Sequence, residues 1–225
     1  MSKALLSGFP LHGCHGGEID VLTILTKHWT TLEKQLSSNG ASPLKTLSEF
    51  YSIPKGVTHS LIKHSFITGS VLVPHDPLGV LSDQLRSHNL AVTRNEKEEN
   101  LTDPVWWISE KSKKYNWVIS STMGLSNYTE YILEYGMQVA TSGIAVLDRL
   151  SFIEPVARRR NFLLANKLSN MIVLSPRPKF RALGSTKDSV TSCWFLFQKP
   201  ENWCDGTQVT FGLDWDRVEP LPPLE

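Results

Sequence analysis

From residue 70 onward the chain alternates short apolar runs with amphipathic stretches, and that alternation constrains its fold more than any other feature. The runs are "SVLVP" (70–74), "NLAVTRNE" (89–96), "YNWVISS" (115–121), "GIAVLDRL" (143–150) and "NMIVLSP" (170–176). Each has the length of a strand, and β-branched and aromatic residues recur among them. Between them lie helical patterns, "LGVLSDQLRS" (78–87), "LSNYTEYILEYGMQVA" (125–140) and "PVARRRNFLLANKL" (155–168), the last with proline at its start. Apolar strands separated by helices predict an α/β, Rossmann-like domain: a mainly parallel sheet covered on both faces. "SVTSCWFLFQK" (189–199) and "TQVTFGLDW" (207–215) read as a closing pair of strands.

Ahead of this domain, "SGFPLHGCHGG" within residues 1–17 reads as a flexible arm. Ile19, Leu22, Leu25, Trp29, Leu32 and Leu36 recur at helical spacing behind an acidic start, and "SSNGASP" (37–43) ends that helix. Shorter helices are expected at 44–50 and 55–64, so residues 18–66 form a helical extension, 67–218 the α/β domain and 219–225 ("EPLPPLE") an extended tail. The amphipathic face of 19–36 suits docking, a homodimer contact, or cover for the sheet.

With 225 residues, 40% of them hydrophobic and 20% charged, the chain can bury a core without a staple. It has no apolar run of membrane-spanning length and no signal-peptide pattern, so no membrane partner is expected and the cytoplasm is the expected location. Three widely spaced cysteines (Cys14, Cys193, Cys204) fit a reducing compartment. His12, Cys14 and His15 lie close together but lack a partner pair, so no metal is expected.

Net charge is only +1, yet nine basic residues stand against two acids between Asp148 and Lys187. Such a stretch can hold nucleic acid locally while the chain stays near neutral; the same residues could equally be charges scattered over the surface.

In an open parallel sheet, ligands bind beyond the carboxyl ends of the strands. Those ends carry "VPHDPLG" (73–79), "TRNEKEE" (93–99), "SSTMG" (120–124) and "LSFIEP" (150–155). Asp76 could supply charge there or simply stabilise the turn before Pro77, and Glu96 is placed to accept from a ribose diol.

The order of "FYSIPKGVTHSLIKH", "ITGSVLVPHDPLGVLSDQLRSHNLAVTRNE", "LTDPVWW" and "YNWVISS" resembles phage- and plasmid-borne methyltransferase-like proteins related to DNA adenine methyltransferases. The likeness continues through "GIAVLDRLSFIEPVARRR", "IVLSPRPKF" and "TKDSVTSCWFLF". It implies a class I S-adenosylmethionine-dependent methyltransferase fold of seven strands, the last antiparallel. The family reads "VLEPCAG-G", "TND" and "YDWVISNPPY" where this chain reads "VLVPHDPLG", "TRNE" and "YNWVISSTMG".

The resemblance assigns the cofactor to Pro74, Asp76, Gly79, Glu96 and Asp103. It places Ser121, Thr122, Met123 and Gly124 where the family aligns and stacks a flipped base. None of the four matches the family residue, so the expectation is a catalytically inactive protein without cofactor, or with S-adenosylmethionine if the pocket survives. The expected partner is nucleic acid, DNA before RNA, or a protein bound to it, met through Arg158, Arg159, Arg160, Arg177, Lys179, Arg181 and Lys187. The alternatives are an active DNA methyltransferase with an unusual site and a sensor of S-adenosylmethionine or a nucleotide.

Overall fold

A computed structural model describes residues 53–123, 125, 128–154, 157–180, 190–202, 206–213 and 216, all within the compact unit Leu47–Glu225. The arm, the helices expected at 19–36 and 44–50, the His12–Cys14–His15 group and the tail lie outside the described residues, as do Gly124, Arg181 and Lys187.

Seven strands form one sheet in the order β2-β1-β3-β4-β6-β5-β7. They are β1 (Ser70–Val73), β2 (Ala91–Arg94), β3 (Trp117–Ser121), β4 (Gly143–Arg149), β5 (Leu168–Ser175), β6 (Ser192–Gln198) and β7 (Gln208–Leu213). β1 pairs in parallel with β2 and β3, and β3 with β4. The reversed strand is β6, antiparallel to both β4 and β5, and not the last strand as expected, since β7 runs parallel to β5 outside it.

The two last strands therefore do not pair with each other, and the expected closing pair is corrected. Burial explains the order. Ser192–Phe197 is buried at every residue, as a strand in the middle of a covered sheet must be, whereas β7 exposes Val209, Phe211 and Leu213 at the margin.

Side-chain alternation along the strands divides the core into two layers. Val71, Val73, Ile119, Leu147, Ile172 and Trp194 face helices α1 (Lys55–Lys63) and α2 (Val80–Ser87), which contribute Val57, Leu61, Leu81 and Leu85. Leu72, Val118, Ile144, Val146, Phe195 and Phe197 face α3 (Pro104–Lys111), α4 (Thr129–Val139) and α5 (Ala157–Ala165). α1 belongs to the segment read as an extension, yet its Val57 and Leu61 are fully buried, and Trp194 Nε1 donates to the Val57 carbonyl at 2.9 Å.

Helix α3 is an element the sequence reading passes over. Asp103 caps it by accepting from the Val105 amide at 2.9 Å, Pro104 occupies its first turn, and Trp107 anchors it through Nε1 to the Leu101 carbonyl at 2.9 Å.

Candidate functional site

The chain leaves β1 towards β2 on one side and reaches β3 on the other, so the sheet's switch point is the crevice beside the carboxyl end of β1. The loops after β1 and β2 are joined there by backbone bonds, Asn95 N–H to the Val73 carbonyl and Asp76 N–H to the Asn95 carbonyl, each 3.0 Å. Asn95 completes the clamp: its Nδ2 donates to the carbonyls of Pro74 (2.8 Å) and Lys97 (2.7 Å), and its Oδ1 accepts from Asn100 Nδ2 at 2.9 Å.

Asp76 is 8% exposed, its Oδ2 accepting from the Ser82 amide in the first turn of α2 at 2.8 Å. That bond satisfies an otherwise orphaned helix N–H and places a negative charge at the positive end of the helix dipole. Pro74 is buried, and its carbonyl belongs to the Asn95 clamp. Gly79 caps α2 with φ +74°, a left-handed conformation that suits glycine. A Cβ at Gly79 would collide with Nη1 of Arg94, whose guanidinium lies over the glycine and is ion-paired with Glu96. Asp103 is the cap of α3.

Glu98 reaches across from the loop after β2 to hydrogen-bond Tyr128, which precedes α4 in the loop after β3, and this bond pushes the phenol pKa up. Because β1 lies between β2 and β3, that bond spans the end of β1. His75, two residues past β1, is half-buried, with Nδ1 buried and without a hydrogen-bond partner among the described residues. Burial lowers its pKa, against the opposing pull of Glu98, Asp76 and Glu99, and so favours the neutral imidazole.

The loop after β3 is closed differently. Ser121 is the last residue of β3 and pairs opposite Leu147. Thr122, 2% exposed, donates its hydroxyl to Asp148 Oδ2 at 2.5 Å, while Asp148 Oδ1 accepts from the Arg149 amide at 2.7 Å. Met123 is 7% exposed and belongs to the core layer of Val71 and Leu147. A loop meant to align an amine must present acceptors outward, and Thr122 and Met123 are both turned in.

The basic residues separate into two kinds. Arg159 is held inward: Nη1 donates to the Phe152 carbonyl at 2.5 Å, Nε lies 3.7 Å from Glu130 Oε1, and the guanidinium sits 4.5 Å above the Phe152 ring. Arg160, Arg177 and Lys179 are exposed, the latter two flanking buried Pro178, with Phe180 buried next along. The Arg158 side chain is outside the described residues. Among those described, no group of three His, Cys, Asp or Glu could hold a metal, and no helix is long and apolar enough to cross a membrane. Burial pushes the Cys193 thiol up to about 12, which leaves it protonated and unreactive.

Arg94 and Tyr128 are the site residues that sequence reasoning left out. Arg94 and Glu96 carry a signal, opposite charges two residues apart at a strand end, where both side chains can share one face.

Among solved structures, the chain is similar to a protein of Listeria monocytogenes assigned to the class I S-adenosylmethionine-dependent methyltransferases, with a TM-score of 0.50 and 10% identity over 85% of this chain and 73% of that one. It also matches a predicted O-methyltransferase of Agrobacterium tumefaciens at a TM-score of 0.40 and 13% identity, over 72% of this chain and 86% of that one. No family model and no curated protein matches the sequence. The fold is that of a class I methyltransferase, a mixed seven-stranded sheet with parallel strands around the switch point.

The cofactor of that class does not fit the crevice as it stands. Asp76 is bound to α2, Arg94 covers Gly79, and Glu96 is paired with Arg94.

Proposed function

We propose that this protein is a methyltransferase-fold binding protein without methyltransferase activity, related to DNA adenine methyltransferases and acting on DNA in the cytoplasm. The observation that carries the reading is the inward packing of Thr122 and Met123 in the loop after β3, which turns both side chains away from any target amine. Methyl transfer needs its two reactants held about 3–3.5 Å apart in a fixed orientation. Phosphate binding needs only accessible cations, and Arg160 and Lys179 supply them.

The test is fluorescence anisotropy of a labelled DNA duplex across a salt series, with methyl transfer from labelled S-adenosylmethionine assayed in parallel. Arg160→Ala and Lys179→Ala should each flatten the slope of log K against log salt by about 1. Arg159→Ala should leave the slope unchanged and lower stability, because its guanidinium serves Phe152 and Glu130. Methyl transfer to the duplex, or DNA affinity indifferent to salt, would overturn the reading.

A further inference from the structure

We propose that Arg94 is a built-in occupant of the crevice, a latch whose guanidinium fills the place above Gly79 that the methyltransferase fold keeps open for its cofactor. Gly79 has the features of a close-approach position, a bare Cα at positive φ where a chain turns from a strand end into a helix. Here the approach is made from within the chain. A Cβ built at Gly79 would stand 3.3 Å from Arg94 Cζ and 3.8 Å from Asp83 Oδ2, so the guanidinium is received between α2 and Glu96.

The ion pair is lopsided. The Arg94 side chain is 22% exposed and that of Glu96 is 55% exposed, which makes the cation the packed partner and the carboxylate the movable one. Charge adds to shape: S-adenosylmethionine carries a positive sulfonium, and the half-buried guanidinium occupies the same place with its charge balanced by Glu96. The latch also holds the acid suited to a ribose diol, since Glu96 is the residue that pins Arg94.

The backbone does not depend on this pair. The loops after β1 and β2 are held by the Asn95 clamp and by the two backbone bonds beside it. Removing the Arg94 side chain therefore empties the cradle, frees Glu96 and leaves both loops in place. The inference rests on the fold and this geometry, independently of whether DNA is the partner.

The experiment is calorimetric titration of the full chain with S-adenosylmethionine and with S-adenosylhomocysteine, for wild type, Arg94→Ala and Glu96→Gln, each checked for an intact melting transition. The wild type should bind neither compound more tightly than about 1 mM. Arg94→Ala should gain at least tenfold for both. Glu96→Gln, which loosens the latch while keeping its shape, should gain by a smaller factor, and more for the homocysteine compound, which lacks the sulfonium charge.

Wild-type binding as tight as that of Arg94→Ala overturns the latch, as does an absence of binding in two folded variants. Neither outcome touches the DNA reading, whose salt slopes are measured without cofactor on chains that keep Arg94 and Glu96.

Discussion

The two sides of the crevice hold their described residues in different ways. Beside β1 and β2 three of the residues expected of a cofactor site are each engaged by a neighbour: Asp76 by α2, Glu96 by Arg94, and the Pro74 carbonyl by Asn95. Beside β3 there is little to engage, and the loop is closed by burying Thr122 and Met123. The first closure is made of charges and hydrogen bonds, whose net worth is modest because water competes for every partner. The second is made of apolar packing, which is proportional to area and leaves a cavity when undone. If the latch proposal holds, one substitution reopens the side beside β1 and β2, whereas exposing Thr122 and Met123 would mean loosening the core.

That contrast can be broken by stability measurements. The largest effect is expected for Met123→Ala, which should cost about 2–5 kcal/mol in urea denaturation, as deletion of a buried side chain does. A cost under about 0.5 kcal/mol would mean that the loop after β3 is a surface feature after all. Asp76→Ala should cost about 1–2 kcal/mol, the worth of a lost helix cap, with no change in the binding of S-adenosylmethionine to the Arg94→Ala variant. Loss of that binding at unchanged stability would give Asp76 back to the cofactor.

The smallest effect concerns pH. His75 binds its proton less firmly in the folded chain than at the usual 6.5, because burial penalises the imidazolium. The unfolded chain thus takes up more protons as pH falls below 6.5, so the stability contributed by neutral His75 is full above that value and declines on acidification towards the depressed one. His75→Gln should flatten the fall of melting temperature below pH 6.5, and an unchanged profile would assign the fall to other groups, His64 and His88 among them.

Much of the sheet was legible from local pattern. The runs at 70–74, 89–96, 115–121, 143–150 and 170–176 each contain or closely overlap a strand, since period and composition report on how buried a short segment is. Helix α3 escaped because "PVWWISEK" shows only a weak alternation of faces; its clearest sign is the Asp103–Pro104 start. The blunt chemistry of 121–124 was visible at once, as a matter of which residue types are present. What Asp76 and Glu96 do was not, because a carboxylate aimed at a cofactor and one aimed at a helix amide or a guanidinium look the same in one dimension.

By itself the sequence determined the alternation of strands and helices, the apolar character of the buried strands and the uncharged Ser-Thr-Met-Gly run that ends β3, all properties carried by residues within a few positions of one another. The tertiary structure decided that β6 enters between β4 and β5 while β7 stays outside, that Asp76 faces inward, and that Arg94 lies over Gly79. Each of these depends on groups far apart in the chain competing for one place, and the winner is set by burial and charge summed over the whole fold rather than by any local preference.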